Sequence, residues 1–136
     1  MTVVAPADRS ATWARWSDFA RWPEWNPRCL SAGLRGPLAP GTRLDLQLRH
    51  PGGRDFWTRP VLTAVTPEAE LGWQARGLGL RAETRSSLVD EPDGTRLTLE
   101  MDSRGPLAAT YRLTLPDRTQ ARIWTEVLDA LSQSLR

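Results

Sequence analysis

The fold is decided by residues 81–103, which read RAETRSSLVDEPDGTRLTLEMDS. In the second half of this stretch Leu97, Leu99 and Met101 alternate with polar residues. This alternation predicts a strand with one buried face and one wet face. An Asp-Gly pair at 93–94 separates it from a strand predicted over 81–89, and Asp-Gly between two such segments indicates a tight hairpin. The chain therefore contains at least one antiparallel pair of strands.

More strands are predicted on the N-terminal side of this hairpin. Leu44, Leu46 and Leu48 alternate with polar residues directly after Gly41, and a period of two predicts another half-buried strand. Further strands are predicted over residues 2–5, 56–65 and 70–74.

A first helix is predicted over residues 7–22. Trp13 and Trp16 lie at helical spacing, and Pro6 suits the first turn because its missing N–H costs nothing there. Pro23 is expected to end this helix, because proline cannot donate the hydrogen bond that the helix interior requires.

A second helix is predicted over residues 117–135. Trp124, Leu128, Leu131 and Leu135 fall at i, i+4, i+7 and i+11, which gives one apolar stripe. Asp117 suits the N-cap position. Residues 106–115 are compatible with either helix or strand.

Grouped strands with a helix near each end indicate an α+β fold rather than a parallel α/β sheet. The wet alternate faces favour antiparallel pairing. The sheet and the long C-terminal helix each have one apolar surface, and both are buried if the sheet curls around the helix.

The composition agrees with a single domain over residues 1–136. The chain has a mass of 15.2 kDa, with 40% hydrophobic and 25% charged residues, which is typical of globular proteins that dissolve in water. No apolar run approaches the roughly 20 residues that span a bilayer, so stable membrane insertion is not expected. The N-terminal segment lacks the features of a signal peptide, so we expect a cytoplasmic location.

Several kinds of chemistry are disfavoured by the residue counts. Cys29 is the only cysteine and His50 the only histidine, so we predict neither a metal site nor an internal disulfide. No phosphate-cradling glycine motif is present, and we predict no nucleotide cofactor. All 18 basic residues are arginines, but they are scattered and the net charge is only +2, so no nucleic-acid partner is expected.

Landmarks along almost the whole chain resemble the START/Bet v 1-like superfamily, also called SRPBCC or polyketide cyclase-like proteins. They comprise Ala5-Pro6 with Trp13 and Asp18-Phe19, then Trp25-Asn26-Pro27, Pro60-Val61, Leu71-Gly72-Trp73, Asp93-Gly94-Thr95-Arg96 and Gly105.

This resemblance implies a helix-grip fold, in which six or seven antiparallel strands wrap the C-terminal helix around an internal cavity. Members bind lipids, sterols, polyketides or other apolar molecules, and some are cyclases or hydrolases. Related sequences often carry a histidine where Thr84 lies, an aromatic residue at Ser86 and a glutamate at Met101. The absence of the first and last of these groups disfavours acid–base catalysis, and we assign no catalytic residue.

The expected ligand is a small hydrophobic molecule, bound by a monomer or a homodimer. Trp22 and Trp25 bracket Pro23 near the expected cavity mouth, where an indole can stack on a ligand; the alternative is that both only pack. Glu83, Glu100 and Asp102 are candidate carboxylates but are expected to be solvated. The cavity-lining residues expected are Trp22, Trp25, Leu44, Leu46, Leu48, Trp73, Thr84, Ser86, Leu97, Leu99, Met101, Tyr111, Trp124 and Leu128.

Three functions fit these observations. The first is binding or carriage of a lipid, polyketide or aromatic ligand in the cavity. The second is a polyketide cyclase or dehydratase, which needs at least one buried titratable group with a shifted pKa. The third is a chaperone-assisting interaction protein with a filled core and an exposed apolar patch.

Overall fold

The computed structural model describes residues 1–50, 54–77, 79–108 and 117–136. Within these ranges the chain forms eight strands, two short helices near the N-terminus and one long C-terminal helix. They are β1 (Thr2–Ala5), α1 (Arg9–Ser17), a 3₁₀ turn (Phe19–Arg21), α2 (Trp22–Trp25), β2 (Cys29–Leu34), β3 (Leu44–Arg49), β4 (Asp55–Thr58), β5 (Val61–Thr66), β6 (Glu70–Gly77), β7 (Leu80–Glu91), β8 (Gly94–Arg104) and α3 (Asp117–Ser134).

All described strand pairs are antiparallel. One sheet has the order β1-β8-β7-β6-β5 and the other has the order β2-β3-β4. Backbone hydrogen bonds join the two sheets where β3 and β5 begin: Leu44 N–H donates to Pro60 O at 2.8 Å, and Leu62 N–H donates to Thr42 O at 2.9 Å. The α+β helix-grip prediction is confirmed, with eight strands in the described residues instead of six or seven.

The central hairpin is longer than predicted. Strands β7 and β8 pair from Arg81↔Arg104 to Glu91↔Gly94, so the connecting turn contains only Pro92 and Asp93. Gly94 adopts a φ of +148°, and a Cβ atom there would lie 1.9 Å from the carbonyl oxygen of Ala5. Only glycine allows the end of β1 to approach the hairpin this closely.

One strand prediction needs correction, and one strand was missed. Residues 56–65, predicted as one strand, form β4 and β5 with Arg59 and Pro60 between them. Pro60 has no N–H to continue a ladder, and the two halves pair with different partners, β3 and β6. Strand β2 was not predicted, because Cys29–Leu34 shows no clear alternation of polar and apolar residues.

The first predicted helix also differs from the structure. It ends at Ser17, and Asp8 caps it by accepting a hydrogen bond from Ala11 N–H at 2.8 Å. Pro23 does not terminate this helix but lies in the first turn of α2, where a missing N–H removes no helical hydrogen bond. The short 3₁₀ turn therefore separates two helices where one continuous helix was predicted.

The C-terminal helix lies against the concave face of the sheet, as predicted. Leu128 and Leu131 are almost completely buried in the main core cluster, and Trp124 is half-buried against the same cluster. Helix α3 ends at Ser134, one residue before the predicted end. Residues 109–116 lie outside the described residues, and so does the side chain of Asp117, the predicted N-cap.

Candidate functional site

A cavity of about 440 Å³ lies between the concave face of the sheet and the beginning of α3. Strands β3, β4, β6, β7 and β8 contribute its walls, and Gln120, Ala121 and Trp124 contribute from the helix. The exposed residue Met1 lies at its border, so the cavity is open to solvent there. Its size is within the usual range for small-molecule sites.

The structure brings many of the predicted residues together around this cavity. The register of the sheet explains this, because Trp73 pairs with Thr84 and Thr84 pairs with Met101. These three side chains form one row across the concave face. The predicted residues that line the cavity are Leu46, Leu48, Trp73, Thr84, Leu99, Met101 and Trp124.

Two indoles form an aromatic wall of the cavity. The ring centroids of Trp73 and Trp124 are 6.0 Å apart with an interplanar angle of 43°. Trp73 is held from behind by Trp16, at 6.1 Å. Its orientation is therefore set by the core, while one side of the pair remains available to a ligand.

Two hydroxyl groups on the same face of β7 have different surroundings. The Ser86 hydroxyl accepts a hydrogen bond from the indole N–H of Trp16 at 2.8 Å and donates to the carbonyl oxygen of Leu71 at 2.8 Å. Ser86 is buried and does not line the cavity. Thr84, two residues earlier, borders the cavity, and in the part of the chain that the structure describes its hydroxyl has no hydrogen-bond partner. Of the two groups, the Thr84 hydroxyl is the one available to a ligand.

Trp22 does not lie at the cavity mouth, where the sequence analysis places it. Its side chain is completely buried, and its indole N–H donates to the carbonyl oxygen of Trp16 at 2.9 Å. The ring packs 4.9 Å from Phe19 and 5.0 Å from Trp16, centroid to centroid. The turn around Pro23 directs this indole into the core rather than toward solvent.

Trp25 is partly exposed and packs on the same aromatic cluster, 5.6 Å from Trp22 and 6.5 Å from Trp16. It does not line the cavity either. Its indole N–H has no hydrogen-bond partner among the described residues. Leu44, Leu97 and Leu128 belong to the core behind the cavity, and Tyr111 lies outside the described residues.

Several lining residues were missed by the sequence analysis. Ala75 and Ala82 face each other across β6 and β7, and Ser103 pairs with Ala82 on β8. Small side chains in one row leave space, and the period of two could have placed them on the inner face. The other lining residues that were not predicted are Met1, Phe56, Thr58, Pro60, Gln120 and Ala121, together with Glu83, Glu100 and Asp102.

The side chains of these three acidic residues lie on the strand face opposite Thr84 and Met101, so they point away from the cavity. Glu100 and Asp102 are exposed and Glu83 is half-exposed. The carboxylate of Glu83 lies 3.2 Å from the Arg85 guanidinium. Their predicted character as solvated surface carboxylates agrees with this placement.

Two titratable groups away from the cavity have shifted pKa values that follow from the packing of the fold. Burial raises the pKa of the Cys29 thiol to about 11, so it stays protonated at neutral pH. The Arg28 guanidinium lies 2.7 Å from the Glu126 carboxylate and lowers the pKa of that carboxylate mainly through a hydrogen bond. This ion pair ties the chain after α2 to α3.

The described residues contain no spatial cluster of three or more His, Cys, Asp or Glu side chains that could hold a metal ion. No helix in the described ranges is both long and apolar enough to cross a bilayer.

A family model described as "Polyketide cyclase / dehydrase and lipid transport" matches residues 1–136. The chain belongs to this family. The superfamily resemblance seen in the sequence landmarks is thereby confirmed. No curated protein matches the chain.

Solved structures share the fold at low sequence identity. A START superfamily protein from Mycobacterium smegmatis is 18% identical with a TM-score of 0.79, over 99% of this chain and 94% of that one. The structure of Ara h 8.0201 is 14% identical with a TM-score of 0.74, over 99% and 94%.

A third neighbour is a larger protein. The di-domain ARO/CYC StfQ from the steffimycin biosynthetic pathway is 13% identical with a TM-score of 0.79. The alignment covers 99% of this chain but 49% of StfQ, so the chain spans about half the length of that protein. At these identities the likeness concerns the fold alone.

Proposed function

We propose that this protein binds and carries a small hydrophobic or amphipathic molecule in the cavity between the sheet and α3. The observation that carries the proposal is the cavity itself, about 440 Å³ in volume and bordered by large apolar side chains. Protein interiors are normally close-packed. A space of this size beside a well-packed core supports a role for the space rather than for the core.

The composition of the wall supports an apolar ligand. Leu46, Leu48, Leu99 and Met101 supply aliphatic surface, and the methionine side chain adapts to ligands of different shape. The indoles of Trp73 and Trp124 supply flat aromatic surface. The Thr84 hydroxyl at the cavity wall can orient one polar group of the ligand.

A polyketide cyclase or dehydratase is the second candidate. The description of the family and the ARO/CYC designation of StfQ favour it. Acid–base chemistry needs a titratable group beside the reacting atoms. Thr84 and Met101 occupy the two positions at which the resemblance implies histidine and glutamate, and both face the cavity. The absence of a titratable side chain at these two positions supports binding more than catalysis.

The open cavity argues against the third candidate, an interaction protein with a filled core.

The other expectations stay predictions. They are a single domain over residues 1–136, a cytoplasmic location, no nucleic-acid partner, no metal or nucleotide cofactor, and a monomeric or homodimeric state.

The proposal can be tested with the uncharged fluorescent probe N-phenyl-naphthylamine. Binding should raise probe fluorescence and quench tryptophan emission, because Trp73 and Trp124 line the cavity. The variant Ala82→Phe fills the cavity and should abolish binding. Ala14→Phe makes the same exchange at an exposed position on α1 and should leave binding unchanged.

Native mass spectrometry of protein purified from its own host should also show a co-purifying small molecule. The proposal is wrong if the wild-type protein binds no probe and carries no ligand. Equal probe binding by the wild type and by folded Ala82→Phe would place the ligand somewhere else.

A further inference from the structure

Three arginines form one row across the sheet, at the end of β7 and β8 that lies away from their connecting turn. The register pairs Arg76 of β6 with Arg81 of β7, and Arg81 with Arg104 of β8. All three residues are exposed, and we call them the arginine row. Residues directly opposite each other on antiparallel strands carry their side chains on the same face, where like charges repel. The row therefore costs the folded protein stability unless a negative charge offsets it.

Little negative charge of the protein itself offsets the row. Among the side chains that the structure describes, neither Arg76 nor Arg81 has an ion-pair partner. Arg104 lies 2.6 Å from Asp102, which provides one carboxylate for three guanidinium groups. The stretches of chain outside the described ranges contain no Asp or Glu. An arrangement that breaks a local rule of stability in this way is typical of a functional site.

The arginine row borders a shallow hollow of about 460 Å³. Glycine keeps this space open, because a Cβ atom at Gly77 would meet nothing within 4 Å. Gly79 and Gly105, with φ of +70° and +109°, form turns that favour glycine. The N–H of Leu107 donates to the carbonyl oxygen of Gly79 at 2.7 Å and so joins these two turns beside the hollow. The hollow shares no described lining residue with the cavity between the sheet and α3.

The chemistry of the arginine row fits a phosphate group. Guanidinium groups stay charged at neutral pH and bind phosphate oxygens through paired N–H donors. A phosphate monoester has three terminal oxygens and about two negative charges, so it can contact all three arginines and neutralise most of their charge. A carboxylate has two oxygens and one charge. We propose that the hollow binds the phosphate group of a small molecule, which is either a soluble phosphate ester or a phospholipid head group.

This site is independent of the proposed function, and its first test uses phenyl phosphate as the probe. Phenyl phosphate should raise the midpoint of thermal unfolding of the wild-type protein, because a ligand that binds only the folded state stabilises it. The increase should diminish as sodium chloride is added, since salt screens exposed charges. Calorimetric titration of the same probe gives its dissociation constant.

The variant Arg81→Gln removes the central guanidinium of the row. It should weaken phenyl phosphate binding about tenfold or more, in line with the loss of a hydrogen bond to a charged group. In phosphate-free buffer the variant should be at least as stable as the wild type, because the repulsion with both neighbours is relieved. Arg49→Gln is the matched control: Arg49 is exposed on β3 and does not line the hollow, and its replacement should leave binding unchanged.

A second measurement distinguishes the two sources of the phosphate group. Vesicles of phosphatidylcholine with and without phosphatidic acid are sedimented with the wild type and with Arg81→Gln. Binding to the vesicles with phosphatidic acid that is lost in Arg81→Gln supports a phospholipid head group, whereas binding of phenyl phosphate without vesicle binding supports a soluble ester.

Three results would overturn the site. They are a wild-type protein that binds neither phenyl phosphate nor the vesicles with phosphatidic acid, equal binding by Arg81→Gln, and an equal loss of binding in Arg49→Gln. Binding of N-phenyl-naphthylamine in the cavity should be the same in Arg81→Gln as in the wild type, so the outcome for the proposed function is read separately.

Discussion

Replacement of Ser86 by alanine should destabilise the protein and leave its cavity intact. The hydroxyl of Ser86 joins helix α1 to the sheet, because it accepts from the indole N–H of Trp16 and donates to the carbonyl oxygen of Leu71, each at 2.8 Å. Trp16 is completely buried and Ser86 is 1% exposed. Water therefore has no access to replace the hydroxyl.

The magnitude follows from the groups left behind. A buried N–H donor without a partner costs about 1 to 3 kcal/mol, and the lost hydrogen bond to Leu71 adds about 1 kcal/mol. We expect the free energy of unfolding to fall by about 2 to 4 kcal/mol. In a chain of this length the midpoint of thermal unfolding should drop by roughly 6 to 15 °C. Thr84→Val breaks no hydrogen bond within the described residues and should cost less than about 1 kcal/mol.

Urea unfolding followed by circular dichroism measures both variants, with probe binding as the second readout. Ser86→Ala should lose stability and keep its affinity for the probe. A double-mutant cycle with Trp16→Phe adds a control, since the cost of Ser86→Ala should shrink once the indole donor is absent. If Ser86→Ala is as stable as the wild type, or if the cycle shows no coupling, the Trp16–Ser86 bond does not hold the helix to the sheet.

Two further predictions concern the core and the outer surface. Trp22→Ala should lower the free energy of unfolding by about 3 to 5 kcal/mol, because the side chain is completely buried. Trp57→Ala is the control: its side chain is 48% exposed, and the loss should be less than about 1 kcal/mol. Equal losses in urea unfolding would contradict the placement of Trp22. The pKa of Asp45 is lowered, chiefly by a hydrogen bond from Arg35. The ionised carboxylate therefore stabilises the folded protein fully above the unfolded-state pKa of about 3.9, and this stabilisation is lost as the pH falls through the lower folded-state pKa. Asp45→Asn should therefore flatten the decline of unfolding midpoints between about pH 5 and pH 2, and an unchanged slope would show that the carboxylate is not coupled to folding.

Much of the fold could be predicted from local sequence pattern. The alternation in residues 81–103 placed Leu97, Leu99 and Met101 on one face, and the hairpin forms as expected. The stripe on the C-terminal helix placed Leu128 and Leu131 in the core. These predictions succeed because a strand or a helix with one apolar face must turn that face toward another element, which fixes which of its residues are buried.

The N-terminal tryptophans show where local pattern is insufficient. Trp22 and Trp25 flank Pro23 in both the sequence and the structure. The helical spacing before Pro23 predicts that this proline ends a helix, but in the structure it begins a new one. Its position turns Trp22 inward, and a proline accepts either context. Only the packing of Phe19 and Trp16 around the Trp22 indole decides whether Pro23 ends one helix or begins the next.

The sequence by itself determined the fold class, the family and the inner face of each main strand, because these depend on a periodicity carried by neighbouring residues. The tertiary structure alone decided which inner residues leave a space and which fill one. Ser86 and Thr84 lie two residues apart on one face, yet the partner of Ser86 is 70 residues away in the chain. Whether a hydroxyl is saturated by the core or free for a ligand depends on such distant packing, and no local pattern records it.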